Sequence, residues 1–190
     1  MKAGVPWQTT LGRNLNGKRL VAIGLGRLGT QVARIAGAFG MKVVAWSQDL
    51  TPEKCEGTEA TYVSKEELFE TSDYISVHVQ LSARTRELIG AADIARMKPT
   101  AFLVNTSRGP IIEEAALIDA LKQGRIAGAG IDVFDIEPLP LDHPFRTLNR
   151  AQITPHLGYV TEDNYRLSYG QVVEDVAACI EGSPIRIVEP

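Results

Sequence analysis

Three features of the sequence predict an α/β fold built on a doubly wound parallel sheet. Short apolar runs recur along the chain, and stretches of helical periodicity separate them. Glycines or capping residues punctuate the switches between the two kinds of segment. A glycine-rich loop, Gly24-Leu25-Gly26-Arg27-Leu28-Gly29, joins the first apolar run to the first helical one. Strands that alternate with helices pair in parallel, with helices covering both faces and right-handed crossovers.

The elements follow in order. Residues 1–18 are punctuated by Gly4, Pro6, Gly12, Asn14, Asn16 and Gly17, and no regular element fits them. Residues 19–23 read as a short buried strand. Residues 28–39 read as a helix with Leu28, Val32, Ile35 and Ala36 on one face, and Gly40 stops it. A second strand occupies 41–46. Ser64 and Glu67 have capping-box spacing, so a short helix starts there. Strands are predicted at 74–79 and 101–105. A helix over 113–123 turns Leu117, Ile118 and Leu121 inward and ends at Gly124. Strands at 129–134 and 152–154 complete a set of six. Thr161 can cap a last helix that ends near Glu181, before Gly182 and Pro184.

A chain of 190 residues can bury a core without disulfide staples. The predicted organisation is an N-terminal arm (1–18), a dinucleotide-binding domain (19–160), and a C-terminal helix and tail (161–190). With 20 basic and 23 acidic residues the net charge is −3, which gives no electrostatic footprint for nucleic acid or an anionic membrane. No apolar run approaches the roughly 18 residues that cross a bilayer. Cys55 and Cys179 are far apart and form no CxxC pair, so free thiols in a reducing, cytoplasmic setting are expected, and no metal site.

The glycine loop carries the first chemical signal. It follows a predicted strand and opens a helix, the context in which GxGxxG binds a dinucleotide, as in Rossmann domains. Gly24 permits the tight turn, Gly26 lets the backbone approach the pyrophosphate, and Gly29 allows close helix–strand packing. The helix N-terminus then offers free N–H groups to the phosphates. In NAD-binding domains an acid at the end of the second strand takes the ribose hydroxyls. Here that position holds Ser47, with Asp49 two residues later. Serine can bond a ribose hydroxyl but does not repel a 2′-phosphate. NAD is the expected cofactor, with NADP an open competitor.

Ligands in such sheets bind outside the carboxyl ends of the strands. Beyond the predicted strand ends stand His78, then Asn105-Thr106-Ser107-Arg108-Gly109, then Asp132, Asp135 and Glu137, then Pro155-His156-Leu157-Gly158. An Arg, a Glu and a His suit hydride exchange between a nicotinamide and a 2-keto acid. Arg108 offers a planar fork for the carboxylate. His156 can protonate the carbonyl oxygen as it becomes an alkoxide. Glu137 can raise the pKa of that histidine and fix its orientation.

These segments resemble the NAD-binding domain of the D-isomer-specific 2-hydroxyacid dehydrogenases almost end to end. The matching stretches are the loop from Gly24, His78 to Ser82 through Thr85 and Ile89-Gly90, and Met97-Lys98-Pro99. They continue with Asn105 to Gly109, Gly130 to Phe134 through Glu137-Pro138, and Thr154 to Gly158. The resemblance implies Arg108, Glu137 and His156 as the catalytic set. It also implies cofactor contacts from Arg27, Leu28, Ser47, Val79, Thr85, Thr106, Ser107, Arg108, Asp132, His156 and Gly158. Two departures stand out: Ser47 for the usual acid, and Gln80 where many relatives carry Pro. Formate dehydrogenases of the superfamily have Gln in place of the catalytic Glu, so Glu137 argues against formate.

Enzymes of this family carry a further, N-terminal substrate domain that closes over the cofactor domain, and this sequence is expected to lack it. The chain is therefore expected to bind dinucleotide but to turn over a small 2-hydroxy or 2-keto acid poorly. The arm and the last helix suggest a homodimer. A second reading, a non-catalytic NAD(H)-binding module that signals redox state through protein association, is disfavoured by the intact trio.

Overall fold

A computed structural model describes residues 11–188, in two compact units that divide between Pro155 and His156. The expected arm lies largely in residues 1–10, outside the described residues.

Among its described residues the first unit contains seven strands, all parallel: β1 (Arg19–Ile23), β2 (Lys42–Trp46), β3 (Ala60–Tyr62), β4 (Tyr74–Val77), β5 (Phe102–Asn105), β6 (Gly128–Ile131) and β7 (Ala151–Ile153). Their order across the sheet is β3-β2-β1-β4-β5-β6-β7. The order reverses between β1 and β4, so the doubly wound topology has its switch point beside the glycine loop. Because every pair is parallel, the carboxyl ends of all seven strands fall on one edge.

The six expected strands are present, and the structure adds a seventh. β3 has three residues, pairs only with β2, and alternates buried Ala60 with exposed Thr61. A strand that short carries no readable period. Two short helices are also additions, α2 (Pro52–Cys55) and α4 (Ala91–Arg96).

The helix after the glycine loop, α1 (Arg27–Ala38), is where the structure corrects the expectation most. Leu28 is 65% exposed and Ile35 54% exposed, although the periodicity places both inward. The buried stripe is Gly29, Ala33 and Ala36. Ala33 and Ala36 join Ala22, Val43, Ala45 and Ala60 in a buried cluster of small side chains, with Leu20, Leu25, Met41 and Leu50 packed around it. Large residues there would lift the helix off the sheet; small ones seat its N-terminus directly over the end of β1.

The opposite face has a conventional core. Val21, Ile23, Ile75, Val77 and Leu103 pack against Leu68 and Phe69 of α3 (Lys65–Thr71) and Leu117 and Leu121 of α5 (Glu114–Lys122). Ser64 caps α3, its Oγ accepting the Glu67 N–H at 3.1 Å, as the spacing predicts. Gly124 follows α5 with φ +65°.

The second unit contains α6 (Glu162–Ile180). Thr161 Oγ1 accepts the Asn164 N–H at 3.2 Å, the expected cap. None of its residues is buried, and Leu167, Tyr169, Val172, Val173, Val176 and Ile180 are exposed. Arg186 folds the tail back by pairing with Glu174 and Asp175. Cys55 is buried, Cys179 is exposed, and both are free. Among the described residues no helix is long and apolar enough to cross a membrane, and no group of side chains could hold a metal ion.

Candidate functional site

The glycines of the loop have distinct environments. Gly24 has φ +97°, a left-handed conformation, and a β-carbon on it would meet Val79 Cγ1 at 2.8 Å and the His78 carbonyl at 2.9 Å. A β-carbon on Gly29 would stand 2.0 Å from the Gly24 carbonyl oxygen. Both are closed in by protein. Gly26 is exposed, and a β-carbon on it would meet nothing within 4 Å. It is the N-cap of α1 and supplies no side-chain cap, and the first turn has no acid. The helix therefore presents its orphan N–H groups, with their partial positive charge, to open space. That arrangement fits an anion such as a pyrophosphate.

This space is a cleft of about 380 Å³, lined among others by Gly24, Gly26, Ser47, His78, Val79 and Thr85. All of these except His78 are expected cofactor residues. His78 reaches back to Ser76, Nε2 to Oγ at 2.9 Å, and burial lowers its pKa, so it stands neutral in the wall. The Thr85 hydroxyl donates to the Gln80 carbonyl at 2.6 Å and accepts the Ser82 N–H at 2.8 Å. Thr85 therefore shapes the loop after β4. Asp49 and Lys54 also line the cleft, and nothing in the sequence pattern points to Lys54.

Further along the edge, the segment after β5 is pinned by Asn105, which is 1% exposed. Its Oδ1 accepts the Ser107 N–H at 3.0 Å, and its Nδ2 donates to the Arg108 carbonyl at 2.9 Å. Ser107 Oγ donates to the Val77 carbonyl at 2.8 Å. Arg108 is thus held by its backbone while its guanidinium stays exposed, Nη1 resting on the Ser107 carbonyl at 2.6 Å. Asn105 is the positioning residue that the motif contains without disclosing its part.

Gly109 lies directly against the chain after β6. A β-carbon there would be 2.2 Å from the Phe134 carbonyl carbon and 2.5 Å from the Asp135 nitrogen. The loop carrying Arg108 therefore adjoins the loop carrying Glu137. Glu137 Oε1 accepts the Phe134 N–H at 2.9 Å, tightening the turn that presents it. Asp132 is buried, its N–H donates to the Asn105 carbonyl at 3.0 Å, and the Thr154 hydroxyl bonds its carboxylate. Thr106 is exposed in the same loop as Arg108.

His156 and Gly158 belong to the second unit. His156 adopts φ 56°, uncommon for a residue with a β-carbon, and its ring meets Tyr159 edge-on at 5.6 Å.

Fold, switch point and glycine cradle together define a dinucleotide-binding domain. Comparison with known proteins gives the family. Residues 1–158 match the NAD binding domain of the D-isomer specific 2-hydroxyacid dehydrogenases, and the chain belongs to that family. A glyoxylate reductase of Thermococcus litoralis is 43% identical over 164 residues, which is 85% of this chain and 49% of that protein. Among solved structures, a D-lactate dehydrogenase with NAD+ from Lactobacillus jensenii superposes with a TM-score of 0.79 at 30% identity. That match covers 95% of this chain and 58% of the other. An acyclic imino acid reductase in complex with NADPH and D-Arg gives a TM-score of 0.78 at 31% identity, covering 98% and 58%. The chain spans about half the length of the glyoxylate reductases it matches and about a third of the D-3-phosphoglycerate dehydrogenases.

Proposed function

We propose that the chain is the cofactor-binding part of an oxidoreductase that interconverts a small D-2-hydroxy acid and its 2-keto acid. The observation that carries this reading is the open, uncapped N-terminus of α1 behind Gly26, set at the switch point of the sheet. Membership of the family supports it. Two relatives in solved structures hold NAD and another holds NADPH, and NAD(H) is the cofactor of the family's domain.

The nicotinamide supplies or takes up a hydride when bound. The chain's own residues do the rest. Gly26 and the first turn of α1 hold the pyrophosphate through backbone N–H groups. Asp132, with Thr106 and Ser107, bounds the space for the nicotinamide end. Arg108 grips the substrate carboxylate with two parallel N–H donors and orients its carbonyl. His156 donates a proton to the carbonyl oxygen during reduction and removes it during oxidation. Glu137 is the carboxylate assigned to orient His156 for that step. A cytoplasmic homodimer is the expected form, with the exposed face of α6 a part of the contact.

The test is titration of the 190-residue chain with NADH, followed by assay with glyoxylate and hydroxypyruvate. NADH binding with slow reduction of the keto acid is expected, the chain spanning about half the length of the glyoxylate reductases it matches. Absence of NADH binding overturns the reading. Sedimentation that shows a monomer at tens of micromolar removes the homodimer.

A further inference from the structure

We infer that the ribose end of the cleft accepts a 2′-phosphorylated dinucleotide, with Lys54 and Arg84 setting the preference. The inference rests on the dinucleotide-binding reading above and goes beyond it by assigning a phosphate subsite.

An acid after Trp46 would accept hydrogen bonds from the ribose hydroxyls and repel a 2′-phosphate. Ser47 stands there and brings no charge. Asp49 is the only acid among the described residues that line this cleft, and it is committed elsewhere. Its two carboxylate oxygens take the two Nη atoms of Arg84, at 3.0 and 3.2 Å. The guanidinium holds the Asp49 carboxyl below the usual carboxylate range, so the pair stays ionised and mutually neutralised.

Arg84 is also anchored through its backbone, since Gln48 Nε2 donates to its carbonyl at 2.9 Å. The segments after β2 and β4 are thus stitched together by three hydrogen bonds across 35 or 36 residues of sequence. An ion pair this exposed contributes little to stability. Its consequence lies in the charge it leaves at the cleft. Lys54 Nζ donates to the Asp49 carbonyl at 2.7 Å, which occupies one of its three N–H donors. Two donors and a full positive charge remain on the only lysine or arginine among the described residues lining the cleft. With Asp49 cancelled by Arg84, the ribose end carries one net positive charge where an NAD-specific site would carry a negative one.

The test is calorimetric titration of the 190-residue chain with NADPH and with NADH, in low and in high salt. The expected result is NADPH binding at least as tightly as NADH, with an advantage that shrinks as salt rises. Lys54→Met and Arg84→Met should each lower the ratio of NADPH to NADH affinity about tenfold. The first removes the cation, and the second uncovers the Asp49 charge. Asp49→Asn should raise the ratio. Should Arg84→Met fail to fold by circular dichroism, Lys54→Met and Asp49→Asn carry the test. Tighter binding of NADH than of NADPH overturns the inference and leaves the dinucleotide reading standing, as does a ratio indifferent to the substitutions. Binding of neither removes both.

Discussion

Gly109 and Phe134 are in backbone contact: a β-carbon on Gly109 would lie 2.2 Å from the Phe134 carbonyl carbon and 2.4 Å from its oxygen. Real β-carbons do not approach backbone that closely. Gly109→Ala must therefore push apart the loops after β5 and β6. The expected cost is about 1–3 kcal/mol, read as a lower urea midpoint with an unchanged slope. Because Arg108 precedes this contact, the variant should also displace its guanidinium. An alanine variant as stable as the parent would mean that these loops are not packed as described.

Two glycines of one loop should respond in opposite ways. Gly29 is closed in by the Gly24 carbonyl, whereas Gly26 faces open space. Gly29→Ala is expected to destabilise the fold by roughly 1–3 kcal/mol, since α1 must lift off the sheet. Gly26→Val should leave thermal unfolding within a few degrees of the parent. Its side chain enters the space proposed for the pyrophosphate, so NADH affinity should fall at least tenfold. Equal losses of stability in both variants would contradict the assigned roles.

What is legible in the sequence follows the range of the interactions involved. Ser64 and Thr161 are readable as caps because a cap is settled within three residues. The glycine loop is readable because its chemistry is local to one turn. The inward face of α1 is misread because hydrophobicity ranks Leu28 and Ile35 above Gly29 and Ala33. The packing distance to β1 and β2 selects for size, and only the tertiary structure shows that distance. Asp49 and Arg84 lie 35 residues apart, on loops that meet only once β2 and β4 have taken their places around β1. No spacing within either segment announces the pair. Asn105 stands in plain view, but its two-sided bonding to Ser107 and Arg108 needs the turn geometry.

Two groups should make stability fall with acid in separate windows. Burial lowers the pKa of His78 from its ordinary 6.5, so the unfolded chain binds its proton first. The stability it contributes is complete above pH 6.5 and is lost progressively as pH falls below that value. Burial alone would raise the Asp73 pKa, but the Arg19 N–H and Lys98 outweigh it and hold it below 3.8. The Arg19 N–H lies at 2.9 Å and Lys98 Nζ at 3.2 Å. That contribution is present above pH 3.8 and is lost as pH falls through the lowered folded value. Urea midpoints measured from about pH 8 to about pH 3 should therefore decline in two stages. His78→Gln should flatten the upper stage, and Asp73→Asn the lower. A His78 variant with the parent's slope between about pH 7 and pH 5 would show that the imidazole is not held neutral.

The bond from Phe134 N–H to Glu137 Oε1, at 2.9 Å, separates two effects of replacing Glu137. A glutamine keeps a side-chain oxygen acceptor in that place and loses the charge. A leucine of similar size loses both. Glu137→Leu should therefore unfold about 1 kcal/mol more easily than Glu137→Gln, because the Phe134 N–H loses its partner. Turnover should discriminate differently. With the carboxylate proposed to orient His156, both variants lose the charge, and both should lower kcat for keto-acid reduction at least tenfold. The two losses should be similar in size, although the stabilities differ. A Glu137→Gln variant with the parent's kcat would leave Glu137 as a turn-forming residue and remove it from the chemistry.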